Sequence, residues 1–148
     1  MIPQNELILL DTNVLIQLVR GNEIGQRIDT NYQLRARLER PLISIITVGE
    51  SFALARKFKW GKTKVDQLKE LLRELVVVDI HASVLEKYAE ISDYLENIGQ
   101  PMGQNDMWIA ATASASNSWL LTTDTDFDRL HPTLIRREYV APHPSTKK

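Results

Sequence analysis

Residues 7–13 read Leu7-Ile8-Leu9-Leu10-Asp11-Thr12-Asn13, a short apolar run that ends at three polar residues. A continuous apolar run of this length is typical of a strand buried on both faces of a parallel sheet. Asp, Thr and Asn favour the N-caps of helices, and the apolar residues that follow return at helical spacing up to Gly21. The stretch therefore predicts a buried strand that leads directly into a helix, with Asp11 at the junction.

The alternation of strands and helices continues along the chain. Short apolar runs predict further strands at residues 42–44, 76–79 and 119–122, and an edge strand within 134–140. Periodic apolar positions predict helices at residues 24–40, 46–59, 65–75, 84–98 and 106–117. This order predicts an α/β fold of three layers, in which helices flank a central, mostly parallel sheet of four to five strands.

The composition is that of a folded domain, with 43% hydrophobic and 25% charged residues in a chain of 148. We expect a single domain over residues 1–140 and a flexible C-terminal tail over 141–148. The net charge of −1 means that any affinity for nucleic acid depends on local basic patches. The chain has no cysteine for disulfides or thiolate metal sites, and no apolar run approaches the roughly 20 residues of a membrane span. We therefore expect a cytoplasmic protein without membrane segments.

Four carboxyl groups fall at junctions between the predicted strands and helices. Asp11 follows the first strand, Glu50 lies on the helix after the second, Asp106 begins the helix that leads into the fourth, and Asp124 follows the fourth strand. Ligands of such sheets gather at the carboxyl ends of the strands, so these side chains are expected to converge. Crowded carboxylates need a cation to stay ionised, and oxygen-only ligands suit Mg²⁺ or Mn²⁺.

Each acid also has an ordinary structural explanation. Asp11 is suited to cap the helix that follows it, and Thr47-Val48-Gly49-Glu50 matches a capping box. Asn105 and Asp106 stand where an N-cap belongs, and residues 123–128 are typical of a solvated turn. The joint placement of the four acids, rather than any one of them, favours a metal site.

The acids and their neighbours resemble the PIN-domain ribonucleases, and within them the VapC-type toxins of toxin–antitoxin pairs. The resemblance spans Leu7 to about Leu134 and is carried by four stretches in the family's order: residues 9–15 around Asp11, 44–50 ending at Glu50, 106–113 beginning at Asp106, and 121–127 around Asp124. One departure is Gly49, where a larger apolar residue is commoner, and we expect a close packing contact there.

The resemblance implies a role for each matching residue. Asp11 and Asp106 would be the main Mg²⁺ ligands, with Mn²⁺ as an alternative ion. Glu50 would orient water or bind a second ion, and Asp124 would complete the site, a place that Asp126 could also take. The supporting residues are Thr12 and Thr122, which would hydrogen-bond a carboxylate or the scissile phosphate, and Asn13, which would hold Asp11 in place.

The activity implied is metal-dependent endoribonuclease cleavage, in which water attacks phosphorus and a ribose 3′-oxygen departs. The resemblance also implies a cognate antitoxin protein and a homodimer. Two alternatives stay open: a non-catalytic PIN-like module that binds RNA or protein, and a phosphotransferase with Asp11 as covalent nucleophile. The second normally has an Asp two residues after the nucleophile, where this chain has Asn13.

A basic stretch at residues 56–64 surrounds Trp60. It is either a solvated face or a rim that contacts RNA phosphates, with Trp60 able to stack on a base or to pack against a neighbour. The three histidines are isolated in the sequence and are assigned no function.

Overall fold

The computed structural model describes residues 2–142, so most of the expected C-terminal tail, residues 143–148, lies outside the described part. Five strands form one parallel sheet in the order β3-β2-β1-β4-β5. The strands are β1 (Ile8–Leu10), β2 (Leu42–Ser44), β3 (Val76–Val78), β4 (Trp119–Thr122) and β5 (Arg136–Tyr139). The predicted α/β architecture is confirmed.

Six α-helices and one 3₁₀ helix connect the strands in the described residues. They are α1 (Thr12–Arg20), α2 (Glu23–Tyr32), α3 (Ile45–Lys57), α4 (Lys62–Arg73), α5 (Ala82–Ile98), α6 (Gln104–Ala115) and the 3₁₀ helix Thr125–Leu130. Within the described chain, none of these helices is long and apolar enough to cross a membrane.

The helices cover both faces of the sheet and make the three layers. Ile8 and Leu10 of β1 point into one apolar cluster with side chains of α1, α2 and α4. Leu9 points into a second cluster with side chains of α5 and α6. Successive side chains of a strand face opposite sides, so a strand covered on both sides needs apolar residues at every position. This requirement explains the unbroken apolar run at the start of the chain.

Helix α1 begins and ends as the sequence predicts. Asp11 caps its first turn, and Gly21 adopts the left-handed conformation (φ 62°) at its end. There the Gly21 N–H donates to the carbonyls of Gln17 and Leu18, which satisfies groups that the helix end would leave free.

Helix α2 ends at Tyr32, so the prediction that it continues to Arg40 is wrong. Gln33 takes a left-handed conformation (φ 49°) that breaks the helix, and the chain turns through the residues that follow. The buried Arg37 then donates to the carbonyl oxygens of Pro3 and Glu6. These partners lie near the N-terminus, far away in sequence, so local periodicity carries no sign of them.

Helices α1 and α2 pack closely at Gly25. A Cβ built at this position would lie 2.2 Å from the backbone oxygen of Gln17 and 2.9 Å from its carbonyl carbon. Only glycine allows such an approach between two backbones. Gly25 therefore sets the position of α2 against the helix that begins at Asp11.

Candidate functional site

The four predicted acids line one cavity at the carboxyl edge of the sheet. Its volume is about 700 Å³, and Asp11, Glu50, Asp106 and Asp124 all contribute to its wall. We call this cavity the acidic pocket. One carboxylate oxygen each from Asp106, Asp124 and Asp126 lies within 4.8 Å of the others. The structure thus brings together the predicted residues from four separate parts of the chain.

Asp11 is both a helix cap and a member of the acidic pocket. Its Oδ1 accepts from the Thr12 N–H at 2.8 Å, and its Oδ2 accepts from the Thr122 hydroxyl at 2.7 Å. The side chain is only 5% exposed. Burial is the main reason that the pKa of Asp11 rises to about 6, and the charges of Asp124 and Glu50 raise it further, against the two hydrogen bonds. The structure confirms that Asp11 caps helix α1. This cap does not prevent the same side chain from lining the acidic pocket.

Glu50 is not part of a capping box, and that prediction is wrong. Helix α3 begins earlier, at Ile45, and Ser44 caps it by accepting from the Ile46 N–H at 3.0 Å. Glu50 therefore lies inside the helix. Its Oε1 accepts from the Thr12 hydroxyl at 2.6 Å and its Oε2 from the Asn105 amide at 2.8 Å. These two donors fix the carboxylate at the wall of the pocket.

Asp106 does not cap helix α6, contrary to the structural explanation considered for it. The helix begins at Gln104 with Gly103 at the N-cap, so Asp106 is its third residue. Within residues 2–142, no hydrogen-bond donor reaches the Asp106 carboxylate. Its pKa rises to about 7, first because the group is half-buried and then because Asp11, Asp124, Glu50 and Asp126 repel its charge. Among residues 2–142, the carboxylate of Asp106 therefore has neither a hydrogen-bond donor nor an ion-pair partner.

Asp124 and Asp126 lie together at the end of β4. The Asp124 Oδ1 caps the 3₁₀ helix by accepting from the Asp126 N–H at 2.8 Å. The Asp124 N–H donates to the Thr122 hydroxyl at 3.0 Å. Residues 125–130 thus form a short helix rather than the solvated turn considered from sequence. The carboxylates of Asp124 and Asp126 both lie close to that of Asp106, so either could serve as a further ligand of a metal ion.

The supporting residues differ in how well they match the prediction. Thr12 and Thr122 each contact a carboxylate, as described above. Asn13 instead donates to the Thr123 hydroxyl at 2.6 Å, and among the described residues no hydrogen bond joins it to Asp11, so the predicted contact is wrong. The reason is that Asn13 is the second residue of α1 and is exposed, whereas Asp11 turns inward.

Sequence reasoning missed several residues of this region. Asn105 holds Glu50, and the buried Thr47 hydroxyl lies 3.1 Å from that of Thr12. Thr123 and Tyr139 also line the acidic pocket. Asn105 stands next to Asp106 and Thr47 lies one helical turn before Glu50, so the sequence places both near the predicted acids but does not indicate which groups they bond. Tyr139 is on the edge strand β5, and nothing in its local sequence points to the pocket.

The donor set of the pocket fits a hard divalent cation. The groups that converge are carboxylate oxygens supported by threonine hydroxyls, with no sulfur or imidazole ligand among the residues that line the pocket. Mg²⁺ and Mn²⁺ prefer such oxygen ligands. A cation would also relieve the repulsion that raises the pKa of Asp106.

The raised pKa values predict how the stability of the metal-free protein depends on pH. The ordinary pKa of both acids is 3.8, and the folded state raises it to about 6 for Asp11 and about 7 for Asp106. The folded state therefore binds protons more tightly than the unfolded chain, and the stability from these groups is lost as the pH rises through this range. We expect urea unfolding in EDTA to show this loss between about pH 4, the pKa range of the unfolded chain, and about pH 7, the pKa of folded Asp106.

Added Mg²⁺ should restore stability at the upper end of this range and have little effect at the lower end, where the acids are protonated. Asp106→Asn should flatten the pH dependence in EDTA, because it removes the group with the larger shift. If this variant and the unaltered protein showed the same dependence of stability on pH, the raised pKa could not belong to Asp106.

The chain is similar in sequence to a known domain family and to several named ribonucleases. The PIN domain family model matches residues 8–131. Ribonuclease VapC2 of Rickettsia felis is 30% identical over 128 residues, which cover 86% of this chain and 93% of the relative. Ribonuclease VapC1 of Haemophilus influenzae is 31% identical over 129 residues, covering 82% and 90%.

Solved structures show the same relationship. The crystal structure of VapBC2 from Rickettsia felis bound to a DNA fragment from its promoter matches with a TM-score of 0.78 and 26% identity, covering 90% of this chain and 98% of that one. VapBC-1 from nontypeable Haemophilus influenzae matches with a TM-score of 0.72 and 26% identity, covering 90% and 97%. The chain belongs to the PIN-domain family and, within it, to the VapC group.

Proposed function

We propose that this protein is a metal-dependent endoribonuclease that acts as the toxin of a toxin–antitoxin pair. The observation that carries the proposal is Asp106, a half-buried acid without a hydrogen-bond donor among the described residues, facing the carboxylates of Asp124 and Asp126 within 4.8 Å. Such an arrangement is unfavourable unless a cation neutralises it. The ribonuclease names of its relatives support RNA as the substrate.

The proposed roles follow from the contacts. Asp11 and Asp106 would hold Mg²⁺ or Mn²⁺, with Asp124 or Asp126 as a further ligand. A bound divalent cation supplies Lewis acidity toward water and the phosphodiester. Glu50, which the Thr12 hydroxyl and the Asn105 amide hold at the pocket wall, would orient the attacking water and accept its proton, or would bind a second ion. Water adds to phosphorus and the ribose 3′-oxygen departs.

The toxin role implies protein partners. Structural relatives are VapBC complexes, one of them bound to a DNA fragment from its promoter. We propose that this chain likewise binds a cognate antitoxin and pairs as a homodimer. A cytoplasmic location and a single PIN domain that ends near residue 140 belong to the same proposal.

The sequence gives no support to Asp11 as a covalent nucleophile. Such phosphotransferases normally carry a second Asp two residues after the nucleophile, where this chain has Asn13. A non-catalytic module also gains no support, because each of the predicted acids is present and lines the pocket. Neither alternative explains an unpaired Asp106 as well as a metal-dependent nuclease does.

The proposal is tested by incubating total RNA with the purified protein in Mg²⁺, in Mn²⁺ and in EDTA, and mapping the ends. We expect internal cleavage with either metal, a 5′-phosphate on the downstream product, and no cleavage above background in EDTA. Addition of excess Mg²⁺ to the chelated sample should restore cutting. Undiminished cleavage in EDTA would exclude a role for the metal, and intact RNA under every condition would exclude the nuclease.

A further inference from the structure

We propose that a cavity lined by four arginines binds a small organic phosphate that carries a flat ring, such as a nucleoside monophosphate. The cavity has a volume of about 420 Å³ and is lined by residues of α1, α2 and α4 and of the turn that leads into β2. Its cationic side chains are Arg35, Arg37, Arg40 and Arg73, and we call it the arginine cavity. The inference goes beyond the proposed nuclease function and does not depend on it.

The lining of the arginine cavity has an excess of positive charge. It includes two carboxylates, and both pair with Arg35, that of Asp29 at 3.6 Å and that of Glu74 at 2.7 Å. Within residues 2–142, the other three arginines form no ion pair with an acid of the cavity. Four cations against two carboxylates leave two positive charges, in a protein whose net charge is −1. The cavity therefore attracts an anion.

Arg37 is the buried cation of the arginine cavity. The residue is only 8% exposed, and its Nη2 donates to the carbonyl oxygens of Pro3 and Glu6. Among the described residues, no group accepts a hydrogen bond from its Nη1 or Nε, and no carboxylate pairs with it. A buried cation without an anionic partner is unfavourable. An anion bound in the cavity would supply that partner.

The charge, size and lining of the cavity favour an organic phosphate. A phosphate monoester carries between about 1.5 and 2 negative charges at neutral pH, which matches the two excess cations. Guanidinium groups bind phosphate oxygens through two parallel N–H donors, and they also stack on flat rings. The volume lies within the range of small-molecule sites. Five leucines form the apolar part of the wall: Leu10, Leu18, Leu34, Leu71 and Leu75. A nucleoside monophosphate has both the phosphate and the ring that such a lining accepts.

The arginine cavity and the acidic pocket are separate sites. Helix α1 begins after Asp11, which lines the pocket, and ends before Gly21, which lines the cavity. The nine residues of this helix span about 13 Å. Leu10, the residue before Asp11, is the part of the cavity wall nearest to the pocket in sequence, and within residues 2–142 no residue lines both. Binding in the cavity therefore requires neither the metal nor the acids.

The proposal is tested by isothermal titration calorimetry of the full chain with AMP, GMP, CMP and UMP. The titrations are made in EDTA, so that no phosphate binds through a metal at the acidic pocket. We expect at least one nucleotide to bind, and its nucleoside, which lacks the phosphate, to bind at least about tenfold more weakly. Inorganic phosphate, which lacks the ring, should also bind more weakly. The nucleotide should raise the urea concentration at which the protein unfolds, because it binds the folded state.

The exposed arginines of the cavity provide the test variant. Arg40→Gln with Arg73→Gln should weaken nucleotide binding about tenfold through lost charge-assisted hydrogen bonds, and circular dichroism should show an unchanged fold. The matched control, Arg56→Gln with Lys57→Gln, removes two exposed charges from the end of α3 and should bind the nucleotide normally. Asp106→Asn should also bind it normally, because the acidic pocket is not the proposed site.

Equal nucleotide binding by the arginine variant and the unaltered protein would overturn the proposal. It would also be overturned if none of the four nucleotides bound at millimolar concentration, or if the nucleoside or inorganic phosphate bound as tightly as the nucleotide. An altered affinity in Asp106→Asn, with normal binding in the arginine variant, would place the nucleotide in the acidic pocket and would equally overturn it.

Discussion

Asp106→Asn is expected to reduce RNA cleavage by a factor on the order of a thousand or more, with Mg²⁺ present in excess. Asparagine keeps the volume of the side chain but removes the charge that would bind the cation. The same change removes the repulsion among Asp106, Asp124 and Asp126, so the metal-free variant should unfold at a higher urea concentration than the unaltered protein at neutral pH. Lower activity together with higher stability distinguishes a metal ligand from a residue that merely supports the fold.

Three further variants sharpen this test. Asp93→Asn changes an exposed acid on α5 and should leave cleavage unaffected. A comparison of Asp124→Asn with Asp126→Asn identifies the further ligand, because the variant with the larger loss carries the acid in contact with the cation. Full activity of Asp106→Asn in the same assay would remove the observation on which the proposed function rests.

Gly25→Ala is expected to destabilise the protein by about 2 kcal/mol, a large effect for the addition of one methyl group. The new Cβ would lie 2.2 Å from the Gln17 backbone oxygen, so α2 must move away from α1. Flexible side chains cannot absorb this clash, because the atoms that oppose the methyl belong to the backbone. Urea unfolding followed by circular dichroism measures the loss.

Gly49→Ala is the matched control for this change. Gly49 is also a helical glycine, but a Cβ added there would meet no atom within 4 Å. The substitution should therefore stabilise the protein by about 0.5–1 kcal/mol, the usual gain of alanine over glycine in a helix. If both alanine variants shifted stability in the same direction, close packing at Gly25 would not be the cause.

The fold was predictable from sequence because its strongest signals are local. The run Leu7–Leu10 marks a buried strand, and Asp11 and Gly21 mark the two ends of the next helix. The predicted packing contact at Gly49 is wrong, since the site is open on that side. The end of α2 was also missed, because the partners of Arg37 lie about thirty residues away in sequence.

The members of the acidic pocket were predictable, but their local roles were not. Asp11, Glu50, Asp106 and Asp124 lie together in the expected place because each stands at or near a junction between strands and helices. The capping explanations for Glu50 and Asp106 failed because both helices begin earlier than the polar residues suggest. The hydrogen bond from Asn105 to Glu50 joins helices α6 and α3, and such a pairing depends on tertiary packing that spacing alone does not encode.

The order of the strands has a consequence for synthesis of the protein. Strand β1 occupies the centre of the sheet, and one of its two neighbours is β4, near the other end of the chain. The hydroxyl of Thr122 that positions Asp11 is made 111 residues after Asp11, and the acids at 124 and 126 follow it. A nascent chain therefore has no complete acidic pocket. The chemistry proposed for this protein is therefore withheld until the segment that carries β4 and the acids after it has been made and has joined the sheet beside β1.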